Sequence, residues 1–70
     1  MNLRNKIETM KELDVVRLNS EYADLPVGTT GTIVLEYDRK CFEVEFFDEN
    51  GDTIGVVTTP VEFLELLQSC

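Results

Sequence analysis

The side chains in this sequence that could carry out catalysis are two cysteines and fourteen carboxylates, with no histidine beside them. Cys41 follows Arg39 and Lys40, but no imidazole is present to take its proton, so an inert thiol is expected. Glu43 and Glu45 alternate with apolar residues, which puts them on a solvated strand face and not in the buried setting that turns a carboxyl group into an acid catalyst. The sequence therefore predicts that the chain is not an enzyme, with no catalytic residue and no cofactor.

Metal binding finds equally little support in the residue types and their spacing. The acidic stretch 48–52 (DENGD) carries oxygen ligands, but it lacks the loop length and the distal glutamate of a calcium-binding loop. Cys41 and Cys70 are too few for a zinc site without histidine. A disulfide between them is not expected in a reducing compartment. No metal site is predicted.

The elements that position these side chains are predicted from the hydrophobic period, which changes to that of strands at position 14. A polar loop at 19–28, a turn at 38–41 and the dipeptide Asn50-Gly51, which favours a type I′ hairpin, separate the strands. Pro60 ends the fourth strand because it has no N–H to donate. The predicted strands are 15–18, 32–37, 42–47 and 53–59, followed at 61–67 by a 3₁₀ turn and a closing strand.

Five short strands with a long first loop predict an all-β fold, a small five-stranded SH3-like (KOW/Tudor-like) barrel. Closure into a barrel would remove the exposed sheet edges. In the second strand, alternation assigns Ile33, Leu35 and Tyr37 to the core. The barrel is predicted at 13–68, and residues 1–12 form an N-terminal extension that is either a short helix or frayed.

The formal net charge is −8 at pH 7, and it is unevenly distributed along the chain. Residues 12–70 hold thirteen acids against three bases. A field of this sign repels phosphate backbones and anionic membranes, and it attracts a basic partner. A purely solubilising role of the acids is the alternative.

No apolar run approaches the roughly 18 residues that a membrane helix needs. The first residues also lack the apolar stretch of a signal peptide. A cytoplasmic location is therefore predicted.

The third predicted strand has the clearest alternation, with Phe42, Val44 and Phe46 facing inward. Phe47 then falls on the outer face among acids, where an aromatic residue can anchor a basic partner. The alternative is a β-bulge that returns Phe47 to the core. The predicted partner-binding residues are Glu43, Glu45, Phe47, Asp48, Glu49 and Asp52.

Two other functions remain open at this point. The stretch 25–34 (LPVGTTGTIV) is similar to the glycine-centred part of a KOW module, which would make the chain a nucleic-acid-associated adaptor. The acidic body opposes this, because Arg39 with Lys40 is the one basic cluster inside the predicted fold. The second is a small structural subunit of a larger complex, and the oligomeric state is open.

Four stretches of the chain together carry a family pattern: KELDVVRL at 11–18, LPVGTTGTIVLEY at 25–37, FEVEFFDENGDTIGVVT at 42–58, and the closing Leu64, Leu66 and Leu67. Over 10–67 the chain resembles a family of short bacterial proteins, common in cyanobacteria and classed as a domain of unknown function. The resemblance implies an SH3-like barrel, often encoded beside a second small gene in pairs that look like toxin and antitoxin. It carries over no catalytic residue. The resulting expectation is a non-catalytic acidic protein-binding module, an antitoxin-like partner that masks a basic protein.

Overall fold

A computed structural model describes residues 10–69, which form one antiparallel sheet of five strands. The predicted all-β class is confirmed, and so is a 3₁₀ turn with a strand after Pro60. Residues 1–9 of the extension predicted at 1–12, and Cys70, lie outside the described residues, and residues 10–12 are not helical. The strands are β1 Val15–Leu18, β2 Thr30–Glu36, β3 Cys41–Phe47, β4 Thr53–Pro60 and β5 Leu64–Gln68, with the 3₁₀ turn at Val61–Phe63.

The strand order is β4-β3-β2-β1-β5, so β4 and β5 are the two edges of the sheet. The predicted closed barrel is wrong, because the structure is an open sheet in which β4 and β5 do not pair over residues 10–69. Although β4 and β5 form no ladder, Tyr22 of the first loop contacts both β4 and the turn that precedes β5. The Tyr22 hydroxyl donates to the Thr58 carbonyl of β4 (3.1 Å), and the Tyr22 ring lies 4.8 Å from that of Phe63 in the 3₁₀ turn.

The inward-facing side chains of the strands form one core cluster. The predicted inward set of β3, Phe42, Val44 and Phe46, is confirmed, with each side chain at most 2% exposed. Met10 precedes the predicted barrel, yet it packs into the same cluster. The other buried apolar residues are Val16, Leu18, Leu25, Ile33 and Leu64.

The second strand departs from its predicted alternation after Ile33. The β2–β3 register runs from Ile33↔Val44 to Leu35↔Glu43, so Val34 is an extra residue. One inserted residue moves all later side chains to the opposite face. The prediction that Leu35 and Tyr37 are core residues is therefore wrong, since they are 44% and 58% exposed.

The β3–β4 hairpin is also built differently from the predicted type I′ turn. Gly51 has a φ of 86°, but Asn50 is not among the described residues with positive φ. Asp48 and Asp52 close a three-residue loop, in which the Gly51 N–H donates to the Asp48 carbonyl (3.0 Å). A type I turn followed by a left-handed glycine has this form. The Asp48 Oδ1 accepts the backbone N–H groups of Asn50 (2.9 Å) and Asp52 (3.0 Å), which fixes the loop.

The start of β1 is held by a buried carboxylate. Asp14 is fully buried, and its side chain accepts from the Lys11 backbone N–H (3.0 Å) and from Lys11 Nζ (3.1 Å). Its own carbonyl accepts the Ile33 N–H (3.0 Å), so the same residue joins this turn to β2. These bonds satisfy a charge that would otherwise be costly to bury.

Gly31 allows β2 and β3 to approach closely, because no Cβ stands between them. A Cβ there would lie 2.7 Å from the Glu45 carbonyl oxygen and 2.7 Å from Val44 Cγ1, and the first of these is backbone that cannot move alone. We expect Gly31→Ala to lower the free energy of unfolding by about 1–3 kcal/mol. The measurement is urea unfolding followed by circular dichroism.

Gly55→Ala is the matched control, because a Cβ at Gly55 meets nothing within 4 Å. This second variant should change stability by no more than about 0.5 kcal/mol. Equal losses in both variants would contradict the steric account of Gly31.

Candidate partner-binding surface

An open groove of about 440 Å³ lies between the β1–β2 loop and the β3–β4 hairpin. We call it the Phe47 groove. Its apolar lining comes from Pro26 and Val27 of the loop and from Phe47 and Ile54 of the strands, and Asp48 and Glu49 line it as well. The remaining lining residues are Gly28, Thr29 and Thr30.

An irregularity at the end of β3 brings Phe47 and Ile54 into this groove. The β3–β4 register runs from Phe46↔Gly55 to Phe47↔Thr53, so Ile54 is an extra residue in β4. Ile54 is 50% exposed, and Phe47 is partly buried but does not belong to the core cluster. The sequence left open whether Phe47 lies on the outer face or is returned to the core by a bulge. A bulge is present, but its extra residue is Ile54, and Phe47 stays outside the core.

The opposite wall of the groove is a turn held by several hydrogen bonds. Thr29 donates to the Pro26 carbonyl from both its hydroxyl (2.7 Å) and its backbone N–H (3.2 Å). Gly28 has a φ of 91°, a backbone conformation that favours glycine, and its N–H donates to the Leu18 carbonyl (2.8 Å). The turn presents Val27, which is 59% exposed, at the rim.

The six predicted partner-binding residues divide into two groups in the structure. Phe47, Asp48 and Glu49 converge on the Phe47 groove, although Asp48 already uses one carboxylate oxygen to hold the hairpin. Asp52 is exposed at the end of that hairpin. The other two, Glu43 and Glu45, lie along β3, where they are partly buried.

Hydroxyl groups of Tyr37, directly after β2, and of two threonines of β4 orient the two glutamates of β3. Glu43 accepts from the Tyr37 hydroxyl at Oε2 (2.7 Å) and from Thr58 Oγ1 at Oε1 (2.8 Å). Glu45 accepts from Thr53 Oγ1 at Oε2 (2.7 Å). Each carboxylate oxygen has two lone pairs, so both groups keep acceptor capacity for a cation.

None of the basic residues among 10–69 lines the Phe47 groove. Lys11 pairs with Asp14 (3.1 Å) and Arg17 with Glu65 (2.6 Å). Arg39 and Lys40 are in the β2–β3 turn, at the other end of β3 from Phe47. The charged residues that line the Phe47 groove are therefore acids.

Pro26, Val27 and Ile54 are the site residues that sequence reasoning missed. They come from a loop and a strand that are far apart in sequence, and their convergence depends on the bulge at Ile54. The apolar pair Pro26-Val27 within a polar loop was the one available signal.

Fold and surface together define a small all-β domain with an acidic, partly apolar groove at one end of its sheet. The family described as Domain of unknown function (DUF4926) matches residues 12–66, and the chain belongs to this family. Comparison with curated proteins and with solved structures found no match. Within residues 10–69, no helix has the length and hydrophobicity needed to cross a membrane.

The Tyr37–Glu43 contact has a measurable consequence for titration. The pKa of Tyr37 is raised above 10.0, because its hydroxyl donates to Glu43 and because the negative charge of that carboxylate opposes ionisation. We expect Glu43→Gln to lower the Tyr37 pKa toward 10.0, measured by tyrosinate absorbance, with Tyr37→Phe to assign the transition. An unchanged titration would contradict this contact.

The same contact should make stability depend on alkaline pH. The folded-state pKa of Tyr37 lies above its unfolded value of about 10, so the contribution of this contact to the free energy of unfolding is fully present below that pH. It is lost as pH rises through the folded pKa. Glu43→Gln should therefore reduce this loss of stability at high pH.

The adjacent residues Phe46 and Phe47 offer a paired test of the groove. Phe46 is fully buried, so Phe46→Ala should lower the free energy of unfolding by about 3–5 kcal/mol or prevent folding. Phe47→Ala should lower it by only about 1 kcal/mol, because Phe47 lies outside the core cluster. Urea unfolding checks both values, and a comparable loss at Phe47 would show that this ring belongs to the core.

Proposed function

We propose that this domain is a non-catalytic binding module for a basic protein, which it masks as an antitoxin masks its toxin. The observation that carries the proposal is the Phe47 groove, where apolar side chains lie beside Asp48 and Glu49. Such a surface suits a partner segment that combines an apolar anchor with lysine or arginine. Aromatic anchors of this kind are enriched among the residues that dominate binding energy.

The charge of the chain supports the same kind of partner. A net charge of −8 on 70 residues steers a cationic protein toward the domain and speeds its association. Glu43 and Glu45 add two oriented carboxylates on the strand that ends at Phe47. Because hydroxyl donors already hold them, little side-chain entropy is lost when a cation binds.

The connectivity supports the SH3-like assignment that the sequence suggested. An antiparallel sheet of order β4-β3-β2-β1-β5, with a long first loop and a 3₁₀ turn before the last strand, has the arrangement expected for that class. The nucleic-acid alternative is less favoured. Of the four basic side chains among residues 10–69, two are engaged in ion pairs, and the other two, Arg39 and Lys40, share their turn with Asp38. Few positive charges are thus available for a phosphate backbone.

The test is affinity capture at low salt from the source cells, using the full chain and two charge-matched double variants. Glu43→Lys with Glu45→Lys reverses the proposed surface. Glu12→Lys with Glu62→Lys makes the same change in net charge at exposed residues elsewhere. We expect one basic protein to be captured by the native chain and the control, to be released by raising the salt, and to bind the first variant at least about tenfold more weakly.

The captured protein is then titrated against all three purified chains across a range of salt concentrations. The first variant should show a flatter salt dependence than the control, because fewer charges contribute at the interface. Equal affinity and salt dependence for the two variants would exclude this surface. Recovery of RNA in place of a protein would favour the adaptor function.

A further inference from the structure

The edge strand β4 has no charged side chain to oppose pairing with another strand. Natural proteins protect edges with charged residues, proline, β-bulges or a covering segment. On β4 the proline and the Tyr22 contact are at the Thr58–Pro60 end, and the bulge is at Ile54. No residue from Thr53 to Pro60 is charged, although the chain as a whole is 29% charged. Ile54 and Val56 are 50% and 56% exposed along this edge.

The hydrogen bonds around β4 reveal which backbone groups face away from the sheet. The Val61 N–H donates to the Lys40 carbonyl (2.7 Å). In an antiparallel ladder the backbone groups of every second residue point to the same neighbour, so the N–H and C=O groups of Val57 and Thr59 also point toward β3. The Thr58 carbonyl accepts from the Tyr22 hydroxyl, which lies on the other side. By alternation, the N–H and C=O of Val56 also point outward. Tyr22 covers the end of β4 at Thr58, which leaves 53–57 accessible.

The net charge determines what can pair with this edge. Two copies of a chain with net charge −8 repel each other, and this repulsion opposes self-pairing of β4, which has no charged residue of its own. A cationic strand is not repelled. The accessible edge therefore fits an extended segment of opposite charge better than it fits a second copy.

The edge and the Phe47 groove form one continuous surface through Ile54, which belongs to both. Acids are concentrated at the Thr53 end, where Asp48, Glu49 and Asp52 occupy the hairpin. The opposite end of β4 lies beside Lys40 through the Val61 contact. A strand along β4 is thus favoured when its basic residues lie next to the hairpin.

We propose that the basic segment bound by this domain adds to β4 as a sixth strand, with its cationic residues at the hairpin end. This inference rests on the proposed function and specifies the mode of binding. Main-chain hydrogen bonds from the edge would supply part of the affinity, and the Phe47 groove would receive a side chain of the added strand.

The probe is a fluorescent peptide of about eight residues that alternates valine and lysine, a typical strand length. Binding is measured by anisotropy at low salt to the native chain and to two variants. Val56→Pro removes an edge-facing N–H without touching the β3 ladder, and Val56→Thr is the matched control that keeps this donor. We expect Val56→Pro to bind about fivefold to tenfold more weakly than Val56→Thr.

Amide hydrogen exchange of the native chain gives an independent readout that does not require the proline variant to fold. The Val56 amide should exchange more slowly when the peptide is bound, whereas the Val57 amide, which already faces β3, should be unchanged. Binding with no protection of Val56 and equal affinities of the two variants would overturn strand addition and leave the proposed function intact. Failure of the peptide to bind at low salt would count against both.

A second copy on the edge is the remaining outcome. If the native chain alone sediments as a dimer and its Val56 amide is already protected, the edge belongs to self-association, and the inference is wrong.

Discussion

The close approach of β2 to β3 at Gly31 is the constraint on which the rest of this small sheet depends. β2 is the central strand, and Gly31 pairs with Val16 of β1 on one side and with Phe46 of β3 on the other. A side chain at this position would collide with the β3 backbone and with the Phe46 ring. Because it is absent, Phe46 can fill the centre of the core, which a domain of this size must pack densely to be stable.

The open sheet leaves two edges, β4 beside β3 and β5 beside β1. The edge of β5 carries the Arg17–Glu65 pair, whereas β4 has no charged residue. Phe63 of the 3₁₀ turn between β4 and β5 contacts the Tyr22 ring, and the Tyr22 hydroxyl donates to the Thr58 carbonyl of β4. This contact covers the far end of β4, so the accessible part of the edge lies beside the acidic hairpin. The location of the candidate surface is therefore a consequence of how the core closes.

Sequence reasoning succeeded where one period persisted over a whole strand. Alternation identified the buried side of β3, and Pro60 marked the end of β4 before the 3₁₀ turn. It failed at Leu35 and Tyr37, because Ile33, Val34 and Leu35 form an apolar run in which the extra residue leaves no trace in hydrophobicity. The prediction of a closed barrel also failed, because closure depends on contacts between segments that are distant in sequence. Alternation predicted that Glu43 and Glu45 face outward, and the Asn50-Gly51 turn placed Asp48, Glu49 and Asp52 in the hairpin after Phe47. Pro26, Val27 and Ile54 could not be predicted, since only the folded chain brings them to Phe47.

The bulge at Ile54 connects the two halves of the proposed surface. Without the extra residue, the side chains of β4 would alternate between the two faces of the sheet from Thr53 onward. Phe47 and Ile54 would then not both lie outside the core. With it, Ile54 lies beside Phe47 and remains part of the exposed edge. Bulges are frequent at sheet edges, where they redirect a side chain or end pairing. Here the bulge gives an acidic domain an apolar surface next to its hairpin carboxylates. The proposed binding of a cationic and partly hydrophobic segment depends on this arrangement.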